Sequence, residues 1–211
     1  MSLKSRILQA ARDLGFDEVS VASPVPPERE ARALEEWCRA GHHGEMGYME
    51  RTVQVRTRPR ELLPGARSLL VLGVSYYTQD PPPEPEPTGA WGRVARYAWG
   101  LDYHEVIEER LKHLCARIEA IRGEPFSSRT VTDAQPLLER AYAYDAGLGF
   151  YGKNTNIIVP GGGSWLFLAE IILDFPPAPE TMRTGSMKRI IKRMFISFSC
   201  TASEFLNQTP S

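Results

Sequence analysis

A formal net charge of −1 over 211 residues, with 42% hydrophobic and 24% charged side chains, is ordinary for a globular protein with one substantial core. It excludes any whole-molecule electrostatic pull toward nucleic acid or anionic membranes, so RNA contact requires a local patch. No apolar run approaches the roughly 20 residues that span a bilayer, and Lys4, Arg6, Arg12 and Asp13 interrupt any signal-peptide core, so a cytoplasmic protein without a membrane partner is expected.

Ile7, Leu8, Ala11 and Leu14 recur at helical spacing within residues 4–14, and Gly15 stops that helix. EVSVAS alternates and reads as a strand. Pro26 and Pro27 precede a helix with Leu34, Trp37 and Cys38 on one side, and the glycines of GHHGEMGYM, residues 41–49, make a loop or a broken helix. SLLVLGVSYY, from Ser68 to Tyr77, is the best central strand, bounded by Pro64 and Gly65. The proline-rich stretch at residues 80–89 offers nothing to pack and is expected to be an exposed loop. Ile107, Leu111, Leu114, Cys115 and Ile118 form a helical stripe. RTVTD, from Arg129 to Asp133, reads as a short strand, and Pro136 opens a helix to about Ala146. In NIIVPGGGSWLFLAEIILD, two β-rich runs flank Gly161, Gly162 and Gly163, a hairpin signal. The pattern predicts an α/β (α+β) fold, a three-layer sandwich with a mixed sheet. This domain covers residues 1–179. Residues 180–211, with Lys188, Arg189, Lys192 and Arg193 in an unpatterned Ser/Thr-rich context, read as a disordered tail, or as a basic amphipathic helix.

Cys38, Cys115 and Cys200 form no CxxC pair, and His42, His43, His104 and His113 form no HExxH or HxH pattern, so no protein-bound metal is expected. Residues 147–155, GLGFYGKNT, contain both GxGxxG and GxxxxGK. Both nucleotide readings fail on context, because a helix precedes the glycines and a strand follows, and Asn154 stands where a magnesium-binding Ser or Thr is required. Gly147 is expected to cap the preceding helix. Gly149 and Gly152 would shape a turn that offers donors near Lys153, Asn154 and Thr155, or simply join helix to strand. Asp133 ends a strand, where ligands gather in α/β sheets. It reads either as a helix cap or as an acid whose raised pKa suits proton donation. His104 is a ligand contact or a helix-start residue.

RVARYAWGLDYHEVI, DAQPLLERAYAYDAGLGFYGKNTNIIV and GSWLFLAEIILD, together with GEMGYMERTVQVRTRPRELLPGARSLLVLGVSYY, occur in the order and spacing of the epoxyqueuosine reductase family, which the chain resembles from about Met1 to Pro179. The resemblance implies a fold related to B12-processing and reductive dehalogenase domains. It implies cobalamin as cofactor, and as substrate a tRNA whose epoxyqueuosine at the wobble position is reduced to queuosine. It also implies that Asp133 is the proton donor to the epoxide-derived oxygen. Arg56, Arg96, Tyr97, His104, Arg140, Lys153, Asn154 and Thr155 are the candidate contacts to the corrin or the substrate.

The family's next module carries eight cysteines for two [4Fe–4S] clusters. Beyond Asp174 this chain has Cys200 alone, and one thiolate cannot hold a cluster that needs four. The expectation is a truncated reductase that depends on an external electron donor. A corrinoid-binding module without catalysis, or an inactive remnant, are the alternatives.

Overall fold

A computed structural model of the chain describes residues 1–77, 92, 94–133 and 135–177. The proline-rich stretch at 80–89, the tail at 180–211 and Cys200 lie outside the described residues.

The helices are α1 (Leu3–Asp13), α2 (Glu28–Arg39), α3 (Gly47–Thr57), α4 (Pro59–Leu62), α5 (Tyr103–Arg122) and α6 (Glu139–Asp145). The strands are β1 (Glu18–Ala22), β2 (Ser68–Ser75), β3 (Ser128–Val131), β4 (Phe150–Tyr151), β5 (Ile157–Ile158) and β6 (Leu166–Leu173). A 3-10 turn spans Arg96–Ala98. The main sheet has the order β1-β2-β6-β3, and β4 with β5 makes a small separate pair.

Each pairing is antiparallel, which corrects the expected mixed sheet. The reason is topological. β2 and β3 run in the same direction and are joined through α5, as a parallel crossover would be, but β6 lies between them and opposes both. Among the described residues no parallel neighbours result.

β2 and β6 are buried on both faces, which is why each reads as an almost continuous apolar run. On one face Leu70, Leu72, Ala169, Ile171 and Leu173 pack against Ile7, Ala10 and Ala11 of α1 and the α5 stripe. Ile107, Leu111, Leu114 and Ile118 are essentially inaccessible, and each such burial contributes about 1.5–3 kcal/mol. The opposite face, with Leu69, Val71, Val131 and Ile172, meets Leu137, Tyr142 and Ala143 around α6, and Leu148 and Ile157 beyond it. Helices on both sides of one sheet make the expected three layers.

The hairpin predicted around Gly161–Gly163 is reduced to one bridge. Val159 and Gly163 exchange backbone bonds of 2.8 and 2.9 Å, while β5 pairs with β4 and β6 with β2 and β3. The strand ending at Asp133 stops at Val131, and α6 begins at Glu139 rather than Pro136. The Thr132 N–H donates to Gln135 Oε1 at 2.8 Å, and that bond holds the intervening chain as a loop. Helices α3 and α4 were not anticipated: α3 buries only Thr57 and so has no apolar stripe to reveal it. Gly147 does end α6, with φ +74° and its N–H on the Tyr144 carbonyl at 3.0 Å. The order α6, glycines, β4 removes the nucleotide-loop geometry, as the context argument required. Gly149 has a packing reason instead, since a Cβ there would stand 2.5 Å from Ile157 Cγ2 and 2.6 Å from the Ile158 carbonyl oxygen. Among the described residues no helix is long and apolar enough to cross a membrane.

Candidate active site

A cleft of about 860 Å³ opens between α2 and α3 on one side and the β3–α6 loop with α6 on the other. Leu34, Trp37 and Leu137 contribute apolar wall, while Arg56, Asp133, Glu139, Arg140 and Thr155 contribute polar groups. Four of the residues singled out from sequence thus converge on one cavity: Asp133, Arg56, Arg140 and Thr155. A concave site with apolar walls and a few convergent polar groups is the usual form of a ligand site.

Asp133 follows the end of β3 in a left-handed conformation, φ +47°. Such backbone is uncommon outside glycine and is found where neighbouring contacts impose it. The Tyr103 hydroxyl donates to Asp133 Oδ2 at 2.6 Å, and the Asp133 N–H donates to Glu139 Oε1 at 2.7 Å. Asp133 is not the cap of α6. Leu138 holds that position without a side-chain bond, and the Asp133 carboxylate is directed to Tyr103. Tyr103 is itself fixed between Phe167 and His104, with ring centroids 4.0 Å away on each side. Burial and the bond to Asp133 raise its phenol pKa far above the usual value, so it stays a donor.

His104 is the helix-start residue of the two readings, and it is not among the residues lining the cleft. Its N–H is capped by Asp102 Oδ1 at 2.9 Å at the start of α5, and its ring Nε2 lies 3.8 Å from Asp133 Oδ2. The ring Nδ1 sits 2.8 Å from Asp102 Oδ1. The His104 backbone bond, then the side-chain bond, hold the Asp102 carboxyl below the ordinary range.

Arg140, on α6, donates from Nη1 to the Thr155 carbonyl at 3.1 Å and to its hydroxyl at 3.3 Å, joining α6 to the β4–β5 turn. Thr155 adopts φ +65° in that turn. Asn154 uses its Oδ1 to accept the Asn156 N–H at 3.2 Å, and Lys153 is exposed beside it. Arg56, on α3, donates from Nε to Thr52 Oγ1 at 3.0 Å. Arg96 lies elsewhere: its guanidinium sits 4.4 Å over the Tyr77 ring and about 5 Å from the rings of Trp99 (5.3 Å) and Trp165 (5.2 Å). Among the described residues its Nη1 is buried without a hydrogen-bond partner, and Tyr97 next to it is exposed. Arg96, Tyr97, Lys153 and Asn154 are not among the residues lining the cleft.

Sequence reasoning missed two carboxyls. Glu139 is half-buried at the start of α6, and burial pushes it up to about 7. The Asp133 N–H and the Arg56 and Arg140 charges pull against that push, while the Asp133 charge adds to it. Glu170, in β6, is fully buried with neither carboxyl oxygen bonded among the described residues, and burial, aided by Glu139, holds its pKa well above the glutamate range. Glu170 had a signal, a lone acid inside LFLAEIIL. Glu139 had none, because an acid at a helix start is commonplace.

Residues 56–134 match the family model described as "Epoxyqueuosine reductase QueG, DUF1730". An epoxyqueuosine reductase of Xanthomonas campestris pv. campestris is 41% identical over 198 residues, which cover 89% of this chain and 54% of that protein. The chain therefore spans about half the length of this curated relative. Two solved structures share the fold. An epoxyqueuosine reductase with a tRNA-Tyr epoxyqueuosine-modified stem loop aligns with TM-score 0.74 and 28% identity, over 84% of this chain and 47% of that one. The Bacillus subtilis epoxyqueuosine reductase, captured with the loop of its catalytic aspartate swung out of the active site, aligns with TM-score 0.73 and 29% identity, over 87% and 49%. Sequence and fold agree in what they resemble: over most of its length this chain is similar to about half of an epoxyqueuosine reductase.

Proposed function

We propose that this chain is the cobalamin-binding, proton-delivering half of a cytoplasmic tRNA epoxyqueuosine reductase, and that Asp133 protonates the oxygen released when the epoxide at the wobble position is reduced. The observation that carries the reading is the placement of Asp133. It is an acid in a left-handed conformation at the lip of a large cleft, with its main chain held by Glu139 and its carboxyl met by Tyr103. A plain structural aspartate needs neither the unusual backbone nor an open cavity.

The cleft suits a large, amide-rich cofactor. Its wall combines apolar surface at Leu34, Trp37 and Leu137 with donors at Arg56, Arg140 and Thr155. These residues would hold the corrin. Arg96, with its unpartnered Nη1, and Tyr97, His104, Lys153 and Asn154 remain candidates for its periphery or for the RNA. When bound, the reduced cobalt would supply the electrons that break the carbon–oxygen bond. The chain's own part is to shield the site, orient the nucleoside and deliver a proton to the departing oxygen, an effect typically worth about 10²–10⁴-fold. These 211 residues carry three cysteines, fewer than the four thiolates of one [4Fe–4S] cluster, so they do not by themselves hold one.

The test has two stages. The protein is incubated anaerobically with cob(II)alamin, desalted, and its absorbance recorded; near-stoichiometric corrin is the expected result. Turnover of an epoxyqueuosine-bearing anticodon stem–loop is then followed with a chemical reductant. Asp133→Asn should retain the corrin and lose about 10²–10⁴-fold in rate. Full activity in that variant would remove the proton-donor role. Tight corrin binding with no turnover of the unmodified chain would favour a corrinoid-binding module, and a colourless eluate a chain that does not hold the cofactor by itself.

A further inference from the structure

Asp133 is held from two directions. Its carboxylate accepts from Tyr103, and its main-chain N–H donates to Glu139 Oε1 at 2.7 Å. Among the described residues of the loop, two further backbone N–H groups have short-range partners. Among the described residues, the Thr132 N–H goes to the Gln135 side chain at 2.8 Å, and the Leu137 N–H to the nearby Gln135 carbonyl at 3.0 Å. Side-chain oxygens, rather than ladder or helix carbonyls, therefore take the main-chain N–H groups of Thr132 and Asp133. A left-handed aspartate reverts to a more populated region unless its surroundings hold it.

Glu139 is well placed to do so. It opens α6, and the next turn of that helix is anchored by Ala141, Tyr142 and Ala143, all buried against the sheet. The carboxylate is thus presented from a rigid base. Arg56 from α3 and Arg140 from α6 both favour its charged, accepting form.

We propose that Glu139 is a positioning residue: its carboxylate holds the Asp133 main chain in the left-handed conformation that directs the Asp133 carboxyl to Tyr103 and the cleft. The catalytic consequence rests on the reading of Asp133 as proton donor. The hydrogen bond itself belongs to the free chain and is measurable without cofactor or RNA. Without Glu139, Asp133 leaves its conformation for part of the time, and the proton is misplaced when the substrate is bound. The loss falls on kcat rather than on the KM for the stem–loop.

Amide hydrogen exchange of the full chain tests this directly. In the unmodified protein the Asp133 amide should be protected, although its side chain is exposed. Glu139→Ala should speed exchange at Asp133 by about tenfold to a hundredfold, the range expected for loss of a hydrogen bond to a charged group, and leave α5 and β2 amides unchanged. Glu139→Gln keeps an oxygen acceptor and should return exchange to within about threefold of the unmodified protein. An unprotected Asp133 amide in the unmodified protein, unchanged exchange in Glu139→Ala, or exchange in Glu139→Gln as fast as in Glu139→Ala would overturn the proposal. Should Glu139→Ala not fold, the unmodified protein and Glu139→Gln still decide. In turnover, Glu139→Ala should lower kcat with KM unchanged, and Glu139→Gln should recover part of the loss. Failure of the Asp133 reading looks different: full activity in Asp133→Asn alongside an intact exchange pattern.

Discussion

Glu170 provides the sharpest test of the energetics. It sits in β6 opposite Val71 and Val131, is 0% exposed, and among the described residues neither of its carboxyl oxygens has a partner. Replacing it with Met keeps an unbranched chain and removes the unbonded polar group, and a buried polar group without a partner costs about 1–3 kcal/mol. Protonation adds a second component. The native carboxyl is held neutral by burial, whereas the unfolded one ionises above about pH 4.3. Between that point and the native pKa, the unfolded state binds fewer protons, so the stability of the unmodified protein falls by about 1.4 kcal/mol per pH unit. Glu170→Met should therefore be more stable by about 1–3 kcal/mol at pH 4, with a gap that widens as pH rises from there toward the raised native pKa. For a domain of this size each kcal/mol shifts Tm by about 2–4 °C. Glu170→Gln removes the titration but keeps a polar group, so it should flatten the pH dependence without the constant gain. The assay is thermal unfolding of the three proteins between pH 4 and 7. A Glu170→Met protein that loses more than about 1 kcal/mol at every pH would refute the reasoning, because the native carboxyl would then be making a favourable bond.

Glu139 follows the same sign. Its native carboxyl titrates at about 7 against an ordinary 4.5, so stability declines as pH rises through that window, by at most about 3 kcal/mol. Glu139→Gln should remove this slope in the same unfolding series. Tyr103→Phe keeps the stack on Phe167 and loses the 2.6 Å bond to Asp133, so turnover should fall about tenfold with Tm nearly unchanged. Gly149→Ala places a methyl 2.6 Å from the Ile158 carbonyl oxygen and should cost about 1–3 kcal/mol in chemical denaturation. Gly161→Ala, at φ +84° with open space around it, should cost only about 1–2 kcal/mol, through backbone strain. Leu111→Ala, in the centre of α5, should cost about 2–5 kcal/mol.

The local elements were largely legible in the sequence by itself. The α1 and α5 stripes, the double-sided burial of SLLVLGVS and the helix stop at Gly147 follow from periodicity, apolar runs and glycine geometry, which neighbouring residues encode. The strand–turn context also sufficed to reject both nucleotide loops. Partner choice was not legible. That β6 inserts between β2 and β3, and so leaves no parallel pair among the described residues, depends on contacts across more than ninety residues, to which local pattern is blind. The same holds for the site. Asp133, Arg56, Arg140 and Thr155 could be named one by one, but their convergence on one cleft is a product of packing α3 and α6 around the β3–α6 loop. Glu139 and Glu170 show the limit most clearly. A carboxyl is a surface charge or a perturbed acid according to how much water and which charges surround it, and only the tertiary structure sets both.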